Sequence, residues 1–177
     1  MIITLSGVAG SGKSTVAKEL AKKLKLKHYS SGDFMRQMAK ERKVSLLKLS
    51  KFAEKDKSID KELDERQIKL GKEQDNFIID GRLSALFIPH AKFKIFLTCA
   101  DETRAKRILS DNRVGDSAKS INEMIKNIKE REASEIKRYA KYYGYNHHDK
   151  KNYTHTIDTT NLNIEEVVDE IIRIITG

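Results

Sequence analysis

The segment Gly7-Val8-Ala9-Gly10-Ser11-Gly12-Lys13-Ser14-Thr15 directly follows the apolar run Met1-Ile2-Ile3-Thr4-Leu5, and that order leaves few folds open. It is the pattern G-x-x-x-x-G-K-[ST] set between a strand and a helix. Glycine takes φ > 0 and lets a ligand oxygen approach the main chain, so the N–H groups of the loop can turn inward around phosphates. Lys13 adds the charge that backbone dipoles lack and reaches the terminal phosphates, while the Ser14 hydroxyl is placed to ligate Mg²⁺. Val16, Leu20 and Leu24 follow at i, i+4 and i+8, the stripe of an amphipathic helix whose positive dipole end faces the same anions. Residues 7–15 are therefore expected to bind a nucleoside triphosphate, with ATP as the donor. The competing reading, a glycine-rich turn that binds nothing, leaves the flanking strand and helix unexplained.

Strand-like runs recur at residues 2–5, 27–29, 77–79, 94–98 and 154–157, and helical patterns fill 13–25, 33–42, 45–55, 60–71, 101–111, 117–143 and 164–175. Such alternation predicts an α/β fold with a parallel sheet. No repeat or low-complexity linker divides the 177 residues, so a single domain over 1–177 is expected. Cys99 is the only cysteine, which excludes a disulfide within the chain and suits a reducing cytoplasm. No stretch approaches the roughly 20 apolar residues of a membrane span. Lys and Arg number 35 against 26 Asp and Glu, a net charge of +9. No recognition motif or stacking-aromatic pattern accompanies that charge, so polyanionic small substrates and solvated lysine faces explain it better than nucleic acid.

In a parallel sheet the ligand crevice lies outside the carboxyl ends of the strands. After the second strand stands Ser30-Ser31-Gly32-Asp33-Phe34-Met35-Arg36, and after the third Asp80-Gly81-Arg82. The run Phe77-Ile78-Ile79-Asp80 also looks like a Walker B strand, whose terminal carboxylate helps fix the water shell of the metal. Arg36 and Arg82, from two strand ends, carry the planar forks of donors suited to a second phosphorylated substrate. Further on, Arg104 and Arg107 share one helix face, Arg113 sits in a polar turn, and Arg131 and Arg138 share a face of the long helix that follows. Arginines on an interrupted helix pair describe a short flap that closes over a migrating phosphoryl group, although Glu130, Glu132 and Glu135 could simply pair with them. His147-His148-Asp149 with His155 reads as a solvated loop rather than a metal site, and Tyr142, Tyr143 and Tyr145 are expected to pack the lid helix against the body, the alternative being that they cover a nucleotide base.

Taken together these segments resemble a nucleoside monophosphate kinase, most closely the short archaeal type of cytidylate kinase. In that family a Ser-x-Gly-Asp-x-x-Arg segment follows the second strand, a Gly-Arg pair the third, and a helix opening on Arg-Glu-x-Ser-Glu carries arginines. Here they stand as Ser30 to Arg36, Gly81-Arg82, and Arg131-Glu132-Ala133-Ser134-Glu135-Ile136-Lys137-Arg138-Tyr139. The resemblance implies a five-stranded parallel sheet with helices on both faces, an acceptor-binding helical segment over about residues 31–71 and a lid over about 108–118. It implies reversible transfer of the ATP γ-phosphoryl group to CMP or dCMP. Arg36 and Arg82 would hold the acceptor's phosphate, Ser31 and Asp33 would face the acceptor, and Lys13, Arg107, Arg131 and Arg138 would contact the transferred group. Ser14, and Asp80 through water, would hold Mg²⁺. The chain departs from the pattern at Leu83, where bacterial relatives carry an aspartate that reads the base. It departs again at Ser110-Asp111, where a lid arginine is common and Arg113 is the available substitute. An AMP, UMP or shikimate acceptor, or a P-loop ATPase of RNA assembly, are the rival readings; oligomeric state is not written in the chain, with a monomer favoured.

Overall fold

The structure, a computed structural model, describes residues 1–53, 55–111 and 118–177, without the side chains of Leu46, Leu47 and Ser50. Strands β1 (Ile2–Gly7), β2 (Lys27–Ser30), β3 (Phe77–Asp80), β4 (Phe93–Thr98) and β5 (His155–Asp158) form one sheet in the order β2-β3-β1-β4-β5, with every neighbouring pair parallel. This is the five-stranded parallel sheet that the strand pattern predicts.

Alternation along the strands sends successive side chains to opposite faces, and both faces are covered. Ile3, Leu5 and Ile78 pack with Val16, Ala17 and Leu20 of α1 (Lys13–Leu24) and Val167, Val168 and Ile171 of α8 (Ile164–Thr176). Ile2, Phe77 and Ile79 point the other way, against Ile88 and against Leu70 of α4 (Lys57–Glu73). Helices α2 (Ser31–Glu41) and α3 (Leu46–Ala53) close on α4 through a separate cluster of Met38, Ala39, Leu49 and Ile59. Helices α6 (Asp101–Ser110) and α7 (Ile121–Tyr143) pair through Ala105, Ile108, Met124 and Ile128.

Four helix starts, those of α2, α4, α7 and α8, follow side-chain caps. Ser30 accepts from Asp33 N and starts α2 two residues before the expected Asp33, and Asp56 accepts from Ser58 N and starts α4 at Lys57 rather than Asp60. The helix expected from residue 117 begins at Ile121, capped by Ser120. A capping box between Asn163 and Glu166 opens α8. Two short pieces have no counterpart in the sequence pattern: α5 (Ser84–Phe87) and a 3₁₀ turn over Lys150–Asn152. Most of the expected lid, with Arg113, lies outside the described residues. Among the described residues no helix is long and apolar enough to cross a membrane.

Candidate active site

Parallel register brings the strand ends together: Asp80 stands opposite Leu5 of β1 and Ser30 of β2. The loop after β1 then wraps the start of α1. Gly10 sits at φ +79, and a Cβ there would meet the Arg104 carbonyl oxygen at 2.8 Å, so only glycine fits. Lys13 lines the cavity over this loop. Ser14 donates its hydroxyl to Asp80 Oδ2 at 2.8 Å, and His28 Nε2 lies 2.6 Å from Asp80 Oδ1, so hydroxyl and imidazole hold the carboxylate from both sides. His28 is a residue the sequence did not single out. Its place depends on β2 lying next to β3, and no local pattern reveals strand order.

Two cavities open beside the strand ends. One, of about 250 Å³, lies between the glycine-rich loop and α7, with Lys13, Glu132, His147 and His148 among its walls. The other, of about 470 Å³, lies between α2, α4 and the end of α7, and includes Ser31, Asp64, Gln67 and Arg138. Arg82, Arg131 and Glu135 line both. Arg82 forms an ion pair with Glu135, its Nε 2.7 Å from Oε2, and Arg131 Nε donates to Oε1 at 3.2 Å. A carboxylate thus holds two guanidinium forks where the cavities meet, with His147 Nε2 at 3.9 Å. Gly81 makes this junction close-packed: a Cβ there would come within 2.5 Å of Ser84 Oγ and 3.1 Å of Ser31 Oγ.

Other expected residues are placed differently. Asp33 pairs with Arg36 one helical turn on, and neither lines a described cavity. The reason is local: Asp33 is engaged in capping α2, and an i, i+3 ion pair keeps Arg36 on its own helix, its guanidinium folded over Gly32 at the cavity rim. Arg107 does not reach toward the junction. It donates to the Thr159 carbonyl at 2.9 Å, the Leu162 carbonyl at 3.3 Å and the Gly10 carbonyl at 3.4 Å, and so ties the glycine-rich loop to the β5–α8 connection. Arg104, next to it on α6, is buried, donating from Nε to the Ala9 carbonyl at 2.8 Å and pairing with Asp101 and Glu132.

The histidine loop is also corrected. His147 is buried, its ring edge-on to Tyr139 with centroids 4.9 Å apart, and burial pushes its imidazole down to about 4, so it is neutral at neutral pH. Tyr153 O–H donates to the His147 carbonyl at 2.7 Å and pins the loop. Adjacent loop histidines look solvated in sequence because no local pattern shows the chain after α7 folding His147 back on Tyr139 and setting His148 against Phe96 of β4. Among the described residues no cluster of side chains has the makings of a metal site of its own. Tyr142 and Tyr143 line the larger cavity, and Tyr143 O–H donates to Asp64 Oδ2 at 2.5 Å. Burial pushes the Asp64 carboxyl up to about 6.

A glycine-rich loop between β1 and α1, with two cavities that share Arg82 and Arg131 beside the ends of one parallel sheet, is the architecture of a P-loop kinase. Solved shikimate kinases share the fold: the one from Bacteroides thetaiotaomicron superposes with a TM-score of 0.71 at 16% identity, covering 100% of this chain and 99% of that one. The one from Aquifex aeolicus gives 0.62 at 21% identity, covering 100% and 97%. The chain belongs to the cytidylate kinase-like family, whose model matches residues 2–161. A protein of Methanosphaera stadtmanae named cytidylate kinase is 40% identical over 171 residues, 97% of this chain and 95% of that one. One of the same name from Pyrococcus abyssi is 39% identical over 167 residues, 94% and 89% of the two chains.

Proposed function

We propose that this protein is a cytoplasmic, monomeric enzyme that transfers the γ-phosphoryl group of ATP to CMP or dCMP, reversibly, giving ADP and the corresponding diphosphate. The observation that carries this reading is the junction: two cavities, one on the glycine-rich loop, meet at Arg82, Arg131 and Glu135. An acceptor phosphate oxygen forms the new P–O bond there as the bond between the β–γ bridging oxygen and the γ-phosphorus breaks, leaving ADP. That oxygen is ionised at neutral pH, so no strong general base is needed and the work is positioning and charge neutralisation. Ser14 and Asp80 present hard oxygen atoms 2.8 Å apart beside Lys13, a donor set that fits Mg²⁺. When bound, Mg²⁺ would neutralise charge on the phosphates.

Arg82 and Arg131 would exchange Glu135 for substrate phosphate, and Arg138, on the same α7 face, would join them. Arg36 would reach the acceptor phosphate by releasing Asp33. Nucleic acid has no part in this reading. ADP release measured with Mg-ATP is expected to depend on added acceptor, with CMP and dCMP the best of CMP, dCMP, UMP, AMP and GMP. ATP hydrolysis indifferent to acceptor would overturn the reading, and AMP equal to CMP would replace it with an adenylate kinase.

The arginines are expected to divide. Arg82→Ala should chiefly raise KM for CMP with little change for ATP, because its contact is with the acceptor phosphate. Arg138→Ala should instead lower kcat, as befits a contact strongest in the transition state. Steady-state kinetics with each substrate varied checks this, and loss of ATP affinity alone in both variants would contradict it.

A further inference from the structure

The larger cavity has a polar wall that neither the phosphate chemistry nor the family pattern uses. Asp60, Asp64 and Gln67, spaced four and three residues apart on α4, share one helix face and all line it. Leu83, Leu63 and Met35 make neighbouring walls apolar, and Tyr139, Tyr142 and Tyr143 come from α7. This shape suits a flat ring with polar edges.

The polar groups are not equivalent. Asp60 has the Arg138 guanidinium as its counter-charge. Asp64 has no cation paired with it among the described residues; its partner is the Tyr143 hydroxyl, which engages Oδ2 and leaves Oδ1 open. A half-buried carboxylate held without a cation costs stability, and such groups cluster at functional sites. Gln67 is 3% exposed, and its Oε1 accepts from Ser84 Oγ at 3.0 Å, so the end of the amide with hydrogen-bonding capacity to spare is its N–H₂. The wall therefore presents an acceptor, Asp64 Oδ1, and a donor, Gln67 Nε2, one helical turn apart.

Resting on the reading of the chain as a nucleoside monophosphate kinase, we infer that Asp64, aimed by Tyr143, and Gln67 read the acceptor's base as cytosine. The exocyclic amine of cytosine donates to Asp64 Oδ1, and the adjacent ring nitrogen or carbonyl accepts from Gln67 Nε2. Uracil reverses this edge: its O4 would face the carboxylate and its N3–H the amide donors, pairing acceptor with acceptor and donor with donor. A carboxylate on α4 thus supplies the base reading that Leu83 cannot.

The test is the ratio of kcat/KM for CMP to that for UMP. A wild-type preference for CMP is expected, and Asp64→Asn, whose amide can donate to O4, should cut the ratio by about 10–100-fold. If Asp64→Asn does not fold, Tyr143→Phe keeps the carboxylate but releases its aim and should lower the ratio several-fold. An unchanged ratio in a folded Asp64→Asn, or in Tyr143→Phe where Asp64→Asn is lost, overturns the inference while leaving the kinase reading intact. Wild-type protein that turns over no monophosphate overturns the kinase reading instead.

Discussion

Lys13→Ala is expected to lower kcat by about 10²–10³, the loss associated with one preorganised donor to a transition state, in a protein that still folds. Lys13 begins α1 and lines the cavity on the glycine-rich loop, whereas the packing of α1 rests on Val16, Ala17, Leu20 and Ala21. Its ammonium group is not part of the core, so the change should act on chemistry and not on assembly. Turnover at saturating ATP and CMP, read beside a thermal melt, makes the measurement. Near-normal turnover in the folded variant would remove the phosphate-loop assignment.

Arg104→Ala is expected to act in the opposite sense, on stability. The side chain is 4% exposed and joins three elements: the Ala9 carbonyl of the glycine-rich loop, Asp101 on its own helix, and Glu132 on α7. Its removal strands Glu132, itself only 15% exposed, with no cation, and leaves the Ala9 carbonyl without this donor. Breaking a buried pair from one side costs about 3–5 kcal/mol, which for a chain of this size lowers Tm by roughly 6–20 °C. Replacing both partners, as Arg104→Met with Glu132→Met, removes the two charges together and should recover much of the loss. A Tm within about 2 °C of wild type for Arg104→Ala would mean a contribution near 1 kcal/mol and contradict the buried-pair account.

How much of this was legible beforehand divides along the distance over which the causes act. The glycine-rich loop, the strand ending in Asp80 and the apolar alternation of the sheet are local patterns, and the sheet stands where they place it. Element boundaries shifted where a single side chain decided them, as with Ser30 and Asp56. The short helix α5 has no room for a periodic stripe, so nothing in the chain marks it. At the site, Lys13, Arg82 and Arg131 were visible as charges near strand ends or on helix faces, and the structure groups them around the two cavities. For Arg107 the sequence shows the helix face but not its neighbours, the carbonyls of Thr159 and Leu162. Asp64, Gln67 and His28 went unnoticed for a related reason. On an amphipathic helix or a short strand they look like ordinary polar positions, and only the approach of α7, α5 and β3 gives them partners.

The register that aligns the ends of β1, β2 and β3 has a consequence for how such a protein can change. The glycine-rich loop and Lys13 are anchored to the sheet and the first helix, while the walls of the larger cavity come mainly from α2, α4 and α7. The two sets of residues meet only at a few side chains. Substitutions on α2 and α4 can therefore reshape the larger cavity without touching the glycine-rich loop, whose cavity they do not line. The sheet behaves as a fixed socket, and the helices as interchangeable fittings.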